Sequence, residues 1–133
     1  DVNLLVTKSL NDTIFDLINT IVAKNVKKQN EIYHALIRNK EDPIKILIML
    51  ANHYRLIYQV KVKRKTMKDF EVIKDLKLNP YRFEKLKEAS YKYSEEDLLD
   101  ILKIFSKTDE DIKTGRLEKT FATEVCLIKV ASK

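Results

Sequence analysis

Apolar residues recur at Ile14, Leu17, Ile18, Ile21 and Val22, the i, i+3, i+4, i+7, i+8 spacing of one face of an amphipathic helix. Ser9 or Asp12 supplies its N-cap. A second stripe, Ile32, Tyr33, Leu36 and Ile37, runs through a helix over 26–38, and the short break at Lys24 and Asn25 makes the two an antiparallel pair. The pattern then changes. From 44 to 62 apolar residues fall on nearly every face, as in a helix surrounded by others. Asp42 caps this central helix and Pro43 suits its first turn, where the missing N–H costs nothing; it runs to about Lys65. Its polar side chains Asn52, His53, Arg55 and Gln59 each need a partner wherever they are buried. The unbroken apolar run over 46–51 is six residues, far short of the ~20 that a membrane span needs.

Beyond the central helix, residues 67–76 read as a short helix with Phe70, Ile73 and Leu76 apolar. Asn79-Pro80 repeats the cap-then-proline start and opens a helix through Tyr91, with Phe83, Leu86 and Ala89 on one face. Ser94-Glu95-Glu96-Asp97 starts the next helix, its acids near the positive end of the helix dipole, and Leu98, Leu99, Ile101, Leu102 and Phe105 form its apolar face. Gly115, the only glycine, is the expected left-handed stop of that helix. A last helix over 118–131 carries Phe121, Val125, Leu127 and Ile128. The pattern predicts an all-α protein, a compact bundle of six to seven helices in one domain over residues 1–133, without repeat, linker or low-complexity segment.

Composition agrees. One glycine and two prolines are too few for a β-sandwich, and 133 residues can bury a sizeable core. A lone cysteine, Cys126, excludes an internal disulfide and fits a reducing compartment. The chain opens Asp1-Val2-Asn3 rather than with methionine, so it reads as a piece of a longer protein and the lack of targeting signals says little. Net charge is +6, and lysine supplies 21 of the 26 basic residues. Most of this reads as a solvated surface. The tighter cluster Lys61, Lys63, Arg64, Lys65 and Lys68 is the candidate nucleic-acid footprint.

Catalytic constellations are missing from the pattern. One glycine cannot build a phosphate-cradling loop, and two histidines and one cysteine have no metal-ligand spacing. His53 reads as a satisfied core histidine, Cys126 as an inert thiol among Val125, Leu127 and Ile128, and Asp109, Glu110 and Asp111 as a polar face or ion-pair set. No cofactor or small-molecule ligand is expected, and no enzymatic activity. The two short helices over 67–76 and 80–91 have helix-turn-helix proportions, and the second carries Arg82, Lys85 and Lys87; against base readout, its leading residues Pro80, Tyr81 and Phe83 look like packing residues.

Several segments together resemble the C-terminal domain of bacterial DNA polymerase III delta subunits. They are Asn11-Asp12-Thr13-Ile14-Phe15-Asp16-Leu17-Ile18; Glu41-Asp42-Pro43-Ile44-Lys45-Ile46-Leu47 followed by Tyr54-Arg55-Leu56-Ile57-Tyr58-Gln59-Val60-Lys61; Leu78-Asn79-Pro80-Tyr81; and Asp109-Glu110-Asp111-Ile112-Lys113-Thr114-Gly115. Order and spacing carry the match over about residues 10–128. Asn79 stands where the family often has histidine, and Cys126 in a stretch usually made of leucines. The resemblance implies a clamp-loader collar domain that packs against gamma or tau and delta prime. It also implies two AAA+-type domains not contained in this chain, a cytoplasmic place in the replisome at the nucleoid, with DNA close at hand, and no membrane partner. On this reading Tyr54, Arg55, Tyr58 and Gln59, with Glu118 and Lys129, form the subunit interface; the alternative for Tyr54 and Arg55 is that they satisfy internal partners such as Asp109 or Asp111. The other reading is a nucleic-acid surface of Lys61, Lys63, Arg64, Lys65, Lys68 and Arg82.

Overall fold

The structure, a computed structural model, describes residues 9–133. Among the described residues seven helices follow one another: α1 (Leu10–Val22), α2 (Val26–Arg38), α3 (Pro43–Lys63), α4 (Asp69–Leu76), α5 (Pro80–Ser90), α6 (Glu95–Lys113) and α7 (Lys119–Ala131). No strand occurs among the described residues. α3 is the hub and packs against α1, α5, α6 and α7. Its inward residues Ile46, Leu47, Leu50, Tyr54, Ile57 and Val60 are almost wholly buried. α2 lies antiparallel to α7: Lys24 Nζ donates to the Ala131 carbonyl at 2.7 Å, and the Tyr33 hydroxyl to the Thr120 carbonyl at 2.7 Å. The first two helices are thereby tied to the last.

Helix starts follow the expected capping chemistry. Ser9 caps α1, accepting from the Asp12 N–H at 3.1 Å. Asp42 accepts from Ile44 at 2.9 Å ahead of Pro43, and Asn79 from Arg82 at 2.7 Å ahead of Pro80. Ser94 and Asp97 make a reciprocal capping box at α6.

The helix ends hold a surprise. Four of them close with a left-handed residue, and only one of these is glycine: Lys24 (φ 61°), Lys40 (φ 63°), Lys77 (φ 55°) and Gly115 (φ 77°). Each shows the paired hydrogen bonds of a Schellman stop. At Lys40, for example, its N–H donates to the Ile37 carbonyl and the Glu41 N–H to that of Leu36, both at 3.0 Å.

On four helices the buried face differs from what the apolar pattern alone suggests. α3 is not surrounded on all sides, for Lys45, Ile48, Asn52, Arg55 and Gln59 form an exposed stripe. Of its polar residues only His53 is buried, edge-on to Phe15 with ring centroids 5.2 Å apart. On α4 the anchor is Val72, fully buried, while Phe70 is 68% exposed. On α7 the inward residues are Ala122, Thr123, Cys126, Leu127 and Val130, leaving Phe121 (55% exposed) and Ile128 (54%) on the surface; on α6, Leu99 likewise faces out. One interior feature fits no capping or packing rule. Gln29 is fully buried, yet neither its Oε1 nor its Nε2 has a hydrogen-bond partner.

Candidate subunit and nucleic-acid interfaces

The residues expected at a subunit interface do not share one surface. Tyr54 is a core residue with no exposed area, its hydroxyl 3.0 Å from that of Tyr93 and its ring beside Phe105 at 5.8 Å. Burial holds the Tyr54 hydroxyl well above its ordinary pKa. A side chain sealed in this way offers nothing to a partner, so Tyr54 leaves the candidate set. Arg55 is exposed and donates from Nη1 to Asn52 Oδ1 at 2.7 Å, rather than to Asp109 or Asp111. Gln59 is exposed on the same stripe, whereas Tyr58 is half-buried against the core. Glu118 has a structural task. Its carboxylate accepts from the Thr120 and Phe121 N–H groups at 2.9 and 3.0 Å and caps α7, which holds its pKa below the usual carboxylate range. Lys129 is exposed one helix turn beyond Val125.

The feature that sequence periodicity missed is the outer face of α7. Phe121, Val125 and Ile128 follow i, i+4, i+7 and form an apolar ridge, exposed at Phe121 and Ile128 and half-buried at Val125. On one flank Glu124 meets His34 of α2 at 3.4 Å. On the other a groove of about 200 Å³ opens between α6 and α7, its floor made by Ile104, Leu117, Ala122 and Val125. The signal was present in the chain. α7 carries apolar residues at 121, 125 and 128 and also at 122, 126 and 130, more than one buried face can absorb.

The basic cluster is also reorganised by its surroundings. Lys61 Nζ donates to the Ser90 carbonyl at 3.0 Å, Lys63 pairs with Asp75 at 2.9 Å, and Lys65 pairs with Glu95. Arg64 donates to Asp69 at 2.9 Å and lies over the Tyr91 ring, 5.4 Å from its centroid. Lys87 reaches the other Asp69 oxygen at 3.2 Å; the Arg64 hydrogen bond first, and then that of Lys87, hold the Asp69 carboxyl below its ordinary range. Lys68 is exposed at the start of α4, and Arg82 is half-buried. The sequence cluster is thus a run of internal ion pairs that ties the end of α3 to α4, α5 and α6. The second short helix turns Tyr81, Glu84 and Glu88 outward, and two glutamates on that face oppose a phosphate backbone.

Chemistry at the remaining titratable groups is muted. Burial pushes the Cys126 thiol up to about 11, keeping it protonated at neutral pH. Burial, and then the Arg82 charge, push His53 down to about 4. Among the described residues no group of three or more His, Cys, Asp or Glu side chains is placed to hold a metal ion, and no helix is long and apolar enough to cross a membrane.

Comparison with known proteins places this arrangement. The model of the family described as "DNA polymerase III delta subunit, C-terminal domain" matches residues 11–130. The DNA polymerase III subunit delta of Bacillus subtilis is 32% identical over 131 residues, covering 98% of this chain and 38% of that protein. The solved structure of the Bacillus subtilis DNA clamp loader delta protein superposes with a TM-score of 0.88 at 31% identity, covering 99% of this chain and 39% of the other. The chain therefore spans less than two-fifths of each relative's length.

Proposed function

The chain belongs to the family formed by the C-terminal domains of DNA polymerase III delta subunits, and on that premise we propose that it serves as a collar module that assembles the sliding-clamp loader. Its task is adhesive rather than catalytic. It holds its subunit against gamma or tau and delta prime in the cytoplasm, while neighbouring domains carry clamp opening. The observation that carries this reading is the apolar ridge on α7, with Phe121 and Ile128 exposed and Val125 half-buried between them, on a helix whose opposite side is already buried in the core. Apolar ridges at helical spacing are what a neighbouring helix packs on. The exposed α3 stripe with Arg55 and Gln59 offers a second, more polar contact.

Size-exclusion chromatography with light scattering, on the chain alone and mixed with the other loader subunits, tests the reading. A mixed complex that survives moderate salt, and that Phe121→Asp with Ile128→Asp abolishes while helicity is retained, is the expected result. A chain that ignores those subunits yet shifts with primed DNA would overturn it.

A further inference from the structure

The groove beside the ridge has a charge pattern of its own. Its apolar floor is rimmed by Lys103, Lys107 and one carboxylate, Asp111, on the α6 bank and by Lys129 on the α7 bank. Lys107 is already engaged by Asp111 at 3.3 Å and Glu110 at 3.9 Å. No carboxylate among the described residues lies within ion-pairing distance of Lys103 or Lys129, so a cation on each bank faces outward over an apolar cleft. Unlike Lys63, Arg64, Lys65, Lys87, Lys113 and Lys133, which have acidic partners, these two cations have none among the described residues, and they flank an apolar cleft rather than standing on open polar surface.

We propose that the α6–α7 groove receives an acidic amphipathic helix from a neighbouring loader subunit. Resting on the collar reading above, this adds the chemistry of the partner segment. Apolar residues of that helix, spaced i, i+3 or i+4, i+7, lie on Ile104, Leu117 and Val125 and against Phe121 and Ile128. Aspartate or glutamate side chains on its two flanks meet Lys103 and Lys129. A purely apolar occupant would leave both ammonium groups partly desolvated without a counter-charge, which disfavours it. A second copy of this chain fits poorly, because the corresponding faces of two copies would set lysine against lysine.

The test is a titration of the chain with each of the other purified loader subunits, by surface plasmon resonance from about 0.05 to 0.5 M salt. The variants are Lys103→Glu with Lys129→Glu, and separately Phe121→Asp. The expected result is that charge reversal weakens binding roughly tenfold or more at low salt and flattens the salt dependence, whereas Phe121→Asp weakens binding at every salt concentration. If the wild type binds and Phe121→Asp disrupts it but charge reversal leaves both affinity and salt dependence unchanged, the acidic occupant is overturned and the collar reading stands. If no subunit binds the wild type, the collar reading itself fails. Both lysines are at the surface, so circular dichroism of the charge variant is expected to match wild type. Self-association of the wild type that Phe121→Asp abolishes would assign the groove to a second copy and also overturn the proposal.

Discussion

Tyr54 and Tyr93 share a hydrogen bond inside a core that otherwise contains few polar side chains, and their coupling is measurable. Replacing either by phenylalanine strands the other hydroxyl and is expected to cost about 1–3 kcal/mol. Replacing both removes the orphan, so the double variant is expected to lose much less than the sum of the singles in a urea-unfolding cycle. Additive losses would show that the hydroxyls are independent. Gln29 is the reverse case, for its buried amide has no partner to strand. Gln29→Met keeps the volume and removes the desolvated amide, and is expected to raise unfolding stability by about 1–3 kcal/mol. A loss would mean the amide is satisfied in solution. His53, held neutral with a pKa near 4, makes stability depend on pH. Between about 4 and 6.5 the unfolded chain binds the proton that the folded chain refuses, so stability is full above that window and falls as pH drops through it. The loss is expected to be on the order of 3 kcal/mol by pH 4, and His53→Gln should remove that component from denaturation curves taken across the window.

At the scale of elements, the helix ends separate what sequence reveals from what it conceals. Gly115 was readable because glycine is the residue a left-handed stop favours. Lys24, Lys40 and Lys77 make the same stop without that signal, each accepting a conformation that costs an L-residue roughly 1–2 kcal/mol. Lys40→Gly is therefore expected to stabilise the fold by about 0.5–1 kcal/mol, once the greater freedom of glycine in the unfolded chain is deducted. Gly115→Ala is expected to destabilise it by about 1 kcal/mol through backbone strain alone, because an added Cβ at that position meets nothing within 4 Å. Thermal melts of the two variants should shift in opposite directions. Caps were legible for a related reason. Asp42-Pro43, Asn79-Pro80 and Ser94 through Asp97 specify local geometry that needs no tertiary contact. Faces were less so. α7 has two apolar faces, and periodicity alone cannot say which meets the core; the neighbours α1, α2, α3 and α6 decide that. Tyr54 illustrates the same limit, since its residue type suits a core and an interface equally.

Across the whole molecule, the net charge of +6 overstates the capacity to hold nucleic acid. The cluster over 61–68 is laced to Asp69, Asp75 and Glu95, so few of its cations can neutralise phosphates without first breaking an internal pair. The chain alone is expected to bind duplex DNA with a shallow salt dependence, equivalent to about two or three phosphates. Fluorescence anisotropy across a salt series would read this directly, and a slope near six would restore the cluster as a DNA site. Sequence could name these cations but not their partners, because Asp69 and Asp75 lie on α4 and Glu95 on α6, and only the fold brings them to the end of α3. The bond between α2 and α7 has another consequence, in the order of events during synthesis. Residues 87 and 107 positions apart meet there, Tyr33 with Thr120 and Lys24 with Ala131. A nascent chain on the ribosome can form α1, α2 and the hub α3, but their core faces stay uncovered until α7 has left the exit tunnel. The domain therefore completes its fold late, and the window before that completion is when chaperones have the most to cover.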